Sequence, residues 1–480
     1  MTKYISKDKA KLYSLADPTK ELIELLWGDS VHIIEEDAGN GRAKVKSRGV
    51  TGFIDPEELN DSPLLEIYFI DVGQGDGILI VTPNRKHIMI DGGYTRSKQQ
   101  HGKSAADFVD WKFFKDYGLQ KIKLDVMIAS HCDADHYGGL WDLINPEETQ
   151  ELDTIGTEVD QFYHAGVSWW KDANNKRSLG LKENGFLTSI LEDENSIDDS
   201  LNNPELSLQG EWAEFLKCIR DTQCGVKRIG FNPEEEIEYL PGFSPDDGDL
   251  NIKVLGPIFY VDGGSAKLKS LGSDSQNTNG NSILLRLDYG RTRILLTGDL
   301  NKKSQQDLLK AFIGNRQELA ADIVKGCHHG SDDCSYEFLE CVQASATIIS
   351  SGDDETHAHP RPNIVAASGV TGFKRVEKDE LITPLVFSTE ISRSVRIGDP
   401  DKVAIEQQEF SEDKVNVFYK RTVSGALRPQ KKEKTLDQLK VVDGIVYGLV
   451  NVRTDGQRII CATLNEGKHK WEIKEFSSRF

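Results

Sequence analysis

Apolar and polar residues alternate over 30–35 and again over 43–46, after an apolar stretch at 22–27 that ends in the turn signal Gly28-Asp29. Gly39-Asn40-Gly41 and Gly49 punctuate these stretches, and the pattern predicts a small β-barrel over residues 1–61. Pro63 opens a different regime. Apolar runs at 64–70, 77–82, 87–90 and 124–129 read as strands. They end in Asp- and Gly-rich turns, where catalytic loops sit on sheets. Helical periodicity at 104–117 and 304–313 makes this central region a mixture of strands and helices, an α+β fold. Residues of about 170–250 are looser and acidic, with one amphipathic helix near 210–222, and read as an insertion on the rim of the core. Strands return after Pro384, and a basic Pro-containing connector at 426–440 leads to a last β-rich piece. The expected division is 1–61, 62–425 and a C-terminal β-rich extension, 426–480.

Composition narrows the classes. The 480 residues are 38% hydrophobic, ample for a folded core. Lys and Arg number 58 against 78 Asp and Glu, a net charge of −20. Such a chain does not grip nucleic acid with its whole surface, which leaves a local patch or a bound cation. There is no apolar run of 18 residues and no secretory pattern at the N-terminus, so no membrane contact is expected. The seven cysteines are scattered, odd in number and without C-x-x-C spacing, which fits reduced thiols and a cytoplasmic protein.

The chemistry concentrates in four places. His131-Cys132-Asp133-Ala134-Asp135-His136-Tyr137-Gly138-Gly139 follows the apolar run at 124–129 directly. Four potential metal ligands lie within six residues, and the paired glycines let backbones approach closely. Asp299 ends the apolar strand 294–297, where one carboxylate can bridge two cations. His328-His329-Gly330-Ser331 follows a strand at 322–325, and His357-Ala358-His359-Pro360 follows another at 347–350. Six of the 11 histidines fall in these clusters, which core packing of single histidines does not explain. Cys132, between two ligands, reads as packing.

The order of Asp71-Val72-Gly73-Gln74-Gly75-Asp76, Asp91-Gly92-Gly93, "SHCDADHYGG", "NGNSILLRLDYGRTRILLTGD", "HHGSDDCS" and "HAHP" resembles the metallo-β-lactamase fold, in particular its ComEC/Rec2-like branch. The resemblance spans residues of about 64–367 and implies an αββα sandwich with a dinuclear metal site and hydrolytic chemistry. It implies that His131, Asp133 and either His328 or His329 hold one cation, that Asp135 and His136 hold the other, and that Asp299 bridges them. Asp91 would orient the ligand loop, with Asp71, Asp76, Asn281 and Ser331 in support. His357 or His359 would sit in the outer site. Family members usually carry His where Asp133 stands, and many supply a His where this chain has Asn281-Ser282. Harder donors favour Mn²⁺ ahead of Zn²⁺ or Mg²⁺. The segment 27–59 resembles bacterial SH3-type domains and suggests a protein partner for that module or for the C-terminal piece.

Two cations that clamp the attacking and leaving oxygens suit phosphodiester hydrolysis, with Asp135 as a proton acceptor and His357 or His359 protonating the leaving oxygen. Lys325 and Arg361 adjoin the metal motifs and are expected to meet substrate, as is His164 at the rim, beside Trp169-Trp170. The reading is a nuclease acting on DNA. The alternatives are a hydrolase of a small nucleotide or phosphorylated metabolite, and a scaffold whose metal is structural.

Overall fold

A computed structural model describes residues 1–39, 41–99, 104–352, 359–377, 379–389, 449–465 and 470–480, together with the strand backbones at 396–398, 414–423, 426–435 and 441–443. His357, Lys103 and the side chains of the basic connector lie outside the described residues.

Residues 2–60 form a seven-stranded antiparallel sheet around its own core of Ile5, Leu12, Leu25, Val31, Val45 and Ile54. Two larger sheets follow. The nine-stranded sheet runs in the order Gly225–Arg228, Thr157–His164, Ile122–Ala129, His87–Gly92, Gly77–Val81, Leu65–Phe69, Val450–Thr454, Arg458–Asn465 and Lys470–Ser477. The six-stranded sheet is Leu250–Gly256, Leu284–Tyr289, Thr292–Leu296, Ile323–Lys325, Ala346–Ile349 and Leu385–Ser388.

Side-chain parity explains the long apolar runs. Ile78 and Ile80 point into a core shared with Leu285, Leu287, Ile294 and Leu296 of the other sheet. Leu79 and Val81 point the opposite way, onto the helices Ala105–Trp111, Ala134–Ile144 and Gly210–Asp221. Leu284, Leu295 and Val324 likewise face the helices Lys302–Ala311 and Tyr336–Val342. A strand buried on both faces shows no alternation, which is why these read as continuous apolar runs.

The C-terminal piece is not a separate extension. Val450–Thr454 pairs antiparallel with Leu65–Phe69, and the next two strands widen the same sheet. Arg453, on the first of these strands, is 1% exposed. Its guanidinium donates to the Trp27 carbonyl at 2.6 Å and to Asp29 Oδ1 at 2.7 Å, and lies 3.5 Å from Glu66. It therefore ties the N-terminal sheet to the central one. Asp455 does make the turn, accepting from the N–H groups of Gln457 and Arg458. Arg453→Leu would strand the buried Asp29 without its ion-pair partner and leave Glu66 with Lys112 alone, at a cost of about 3–5 kcal/mol. Guanidinium unfolding should show a lower midpoint with little change in slope; an unmoved midpoint would deny Arg453 that role.

Candidate metal centre

The site lies where the strand ends of both sheets meet. The strand Ile122–Ala129 delivers Ser130 and His131, and the helix Ala134–Ile144 starts at Asp133 and carries Asp135 and His136 in its first turn. Its Gly138 and Gly139 lie directly on Gly92 and Gly93, with Gly139 N–H donating to the Gly93 carbonyl at 3.1 Å. A side chain at Gly139 would collide with the Gly92 carbonyl, so glycine is what lets this helix reach the strand that carries Asp91.

Three backbones here are strained. Asp91, His328 and His329 are left-handed, with φ of 56°, 47° and 53°. Each costs of order 1–3 kcal/mol and persists only where its surroundings impose it. His328 N–H donates to the Gly298 carbonyl at 3.3 Å, and Arg361 N–H donates to Gly330 at 2.9 Å.

The imidazoles are oriented from behind. Asp91 Oδ1 accepts from Ser130 N–H at 2.7 Å, and its Oδ2 lies 2.9 Å from His136 Nδ1. His131 Nδ1 lies 3.1 Å from the Ser130 hydroxyl and 3.2 Å from that of Ser282. His329 Nδ1 faces the Ser350 carbonyl at 3.1 Å and Asp76 at 3.4 Å. With every Nδ1 occupied, the Nε2 atoms turn inward, and those of His131, His136 and His329 are all buried without a hydrogen-bond partner. His136 Nε2 lies 3.3 Å and His329 Nε2 3.0 Å from Asp299 Oδ2, while His329 Nε2 is 3.7 Å from Asp135. His131, His136 and Asp299 offer atoms within 4.8 Å of one another, as do Asp135, His136 and His329. Unpartnered buried nitrogens around carboxylates fit divalent cations.

The electrostatics are those of a cation site. Burial pushes His131 down to about 3, so its nitrogen is neutral and ready to ligate. Burial also opposes charge on His329, but Asp299 and Asp76 outweigh it and push the group up to about 10. Burial works against ionised Asp299 too, yet His329, His136 and Lys325 hold it well below the usual carboxylate range.

Asp133 stands apart. It lies 3.7 Å from His131 Nε2, but the Thr278 hydroxyl (2.8 Å) and the Trp169 indole N–H (3.3 Å) hold it. Burial and then Asp135 push it up to about 6. His328 Nε2 contacts Asn279 at 3.1 Å and lies 3.9 Å from Asp299, so His329 is the inner member of the pair. His359 is partly exposed beside both, its ring 5.9 Å from that of His328.

Two expected substrate contacts are corrected. Lys325 is fully buried, ion-paired with Asp76 and Asp299, and donates to the Gly298 carbonyl at 2.9 Å. His164 is buried against Phe162, accepts from Gly166 N–H at 3.1 Å, and is pushed down to about 3 by burial and then Arg228. Neither reaches solvent. Arg361 is partly exposed at the start of the helix Pro362–Thr371. Asn281 bonds the Asn277 carbonyl, Ser331 accepts from Asp333 N–H, and Asp71 accepts from Gly73 N–H. Among the described residues, Asp71 is not one of the carboxylates grouped with the candidate ligands. Cys132 packs in the core as expected. The sequence reading missed Ser130, Ser282, Thr278 and Asn279. It also missed the role of Gln74, whose amide donates to Asp135 Oδ2 at 3.1 Å.

Residues 70–149 match the Metallo-beta-lactamase superfamily, over the very segment that carries Asp76, Asp91, His131, Asp135 and His136. The chain is similar to that superfamily over this segment. It is similar to ComE operon protein 3 of Bacillus subtilis, 22% identical over 62% of this chain and 30% of that protein. It is also similar to Competence protein ComA of Neisseria gonorrhoeae, 31% identical over 21% of this chain and 14% of that protein. The chain thus spans less than a third of either relative. A crystal structure of a protein of unknown function from Enterococcus faecalis aligns over 58% of this chain and 56% of that one, at 12% identity and a TM-score of 0.27, too slight a likeness to bear on the fold. Likeness to these two proteins stands against the cytoplasmic location expected from the sequence. Among the described residues no helix is long and apolar enough to cross a membrane.

Asp91→Ala removes the group that fixes the His136 ring. Loss of such a supporting carboxylate should weaken metal binding about 10–100-fold. Titration calorimetry with Zn²⁺ or Mn²⁺ measures it, and unchanged affinity would make Asp91 a purely structural residue.

Proposed function

We propose that this chain is a metal-dependent phosphodiesterase acting on DNA, with His131, His136, His329, Asp135 and Asp299 as the ligands of two divalent cations. The observation that carries the reading is that the buried, unpartnered Nε2 atoms of His136 and His329 lie within 3.3 Å of Asp299 Oδ2, with that of His131 also buried and unpartnered and His131 grouped with His136 and Asp299 within 4.8 Å. Likeness to two competence proteins supports DNA as the polymer.

Cations held there polarise a phosphoryl oxygen and make a water easy to deprotonate. The protein's own residues do the rest. Asp91 and Asp76 hold Nδ1 of His136 and His329, so that both rings present Nε2. Gln74 holds one oxygen of Asp135, which reaches the open side of the centre and takes up the proton of the attacking water. His359, on the outer side of the histidine pair, protonates the leaving oxygen. With Asp133 engaged by Thr278 and Trp169, the donor set is richer in imidazole than the sequence suggested. We retain Mn²⁺ ahead of Zn²⁺ on the strength of Asp135 and Asp299.

The two large sheets with helices outside each support the αββα reading. The N-terminal sheet is read as an SH3-like module for a protein partner. Incubation of metal-stripped protein with single-stranded, double-stranded and circular DNA, with Mn²⁺, Mg²⁺ or Zn²⁺ restored, tests the function. Metal-dependent cutting that Asp135→Ala abolishes is the expected result; intact DNA under every cation would refute it.

A further inference from the structure

A polyanion approaching this centre meets a chain of net charge −20 and a site floored by Asp76, Asp91, Asp133, Asp135 and Asp299. The cation nearest the ligands, Lys325, is fully buried and spent on Asp76 and Asp299. Recognition of phosphate therefore needs a positive group that is exposed, fixed and free of carboxylate partners. The acidic insertion supplies one.

Arg177 lies on the short strand Arg177–Ser178, which pairs with Trp170–Asp172. Its guanidinium carbon sits 3.7 Å from the centre of the Trp169 ring. Among the described residues it has no ion-pair partner, whereas the other two arginines of the insertion are paired, Arg228 with Glu192 and Arg220 with Asp198. Trp169 in turn donates its indole N–H to Asp133 at 3.3 Å, and Asp133 lies 3.7 Å from His131 Nε2. The exposed guanidinium is thus three contacts away from the candidate ligand His131, through Trp169 and Asp133. Its charge is also felt by Cys132 and Tyr137 of the ligand loop.

We propose that Arg177, stacked flat on Trp169, grips a non-scissile phosphate of a phosphodiester substrate bound at the metal centre. Stacking fixes the planar fork before substrate arrives, so less rotamer freedom is lost on binding. The stack occupies a face of the guanidinium and leaves its N–H edge open for two parallel bonds to phosphate oxygens. The inference rests on the phosphodiesterase reading and adds to it the element that seats the polymer.

The test uses the metal-loaded full chain and two substrates: a single-stranded DNA oligonucleotide and bis-(p-nitrophenyl) phosphate, which has no flanking phosphate. Arg177→Ala should raise KM for the oligonucleotide about tenfold or more, with a much smaller effect on the small diester. The salt dependence of oligonucleotide binding, read by fluorescence anisotropy, should fall by about 0.7 in log–log slope, the value for one lost contact on a single strand. Arg177→Lys should restore the slope but not the full KM, because an ammonium lacks the fork. Lys20→Ala, an exposed charge beside the N-terminal sheet, is the control and should match wild type. Equal effects of Arg177→Ala and Lys20→Ala would overturn the clamp while leaving the phosphodiesterase reading intact. Wild-type protein that cleaves neither substrate would overturn that reading, and the clamp with it.

Discussion

Asp299→Ala should abolish hydrolysis and metal binding together. Asp299 Oδ2 lies within 3.3 Å of two ligand imidazoles, and its second oxygen lies 3.4 Å from Lys325. Alanine removes the carboxylate that lies within 3.3 Å of Nε2 of both His136 and His329. It also leaves the buried Lys325 ammonium with Asp76 as its single carboxylate partner. Groups that act as a unit lose nearly all of their contribution when one is removed. The expected fall in kcat/KM is on the order of 10³-fold or more, equivalent to about 4 kcal/mol. Metal analysis after dialysis should show the variant below half of wild-type occupancy. A variant that keeps its metal and a tenth of its activity would show that Asp299 is not the shared ligand.

Lys325→Met should be the most destabilising single change at the site. Lys325 is one of the largest fully buried side chains, and burial would expel its charge if Asp76 and Asp299 did not hold it. Methionine fills similar space but takes away the ammonium between those two carboxylates and leaves them only the His136 and His329 imidazoles. Breaking a buried pair from one side costs about 3–5 kcal/mol. A saturating divalent cation that binds the folded state should return part of this loss. Thermal unfolding with and without Mn²⁺ measures both effects. Equal melting temperatures for wild type and variant in the metal-free state would contradict the assignment.

The candidate ligands that the fold brings together were legible because they are dense in sequence. His131 to His136 is one loop, and His328-His329 is one turn, each following an apolar strand. The buried strands were legible too, although parity could not say which face met which sheet. What stayed hidden is what depends on distant pairing. Val450–Thr454 reads as any strand, and nothing local says that it joins Leu65–Phe69. Arg453 looks like a surface charge until Asp29 and Glu66 are brought to it. Lys325 was misplaced for a related reason. Adjacency to a metal motif does not tell inside from outside, and its partner Asp76 comes from a loop nearly the whole domain away. Asp133 carries the same lesson. The spacing matched a ligand, but Thr278 and Trp169 take its oxygens.

The most direct test titrates Mn²⁺ or Zn²⁺ into stripped protein and follows bound metal and bis-(p-nitrophenyl) phosphate hydrolysis in the same samples. The account predicts that turnover rises with occupancy, and that His136→Ala loses both. Metal that binds without turnover, or turnover indifferent to His136→Ala, would contradict a hydrolytic centre at these residues.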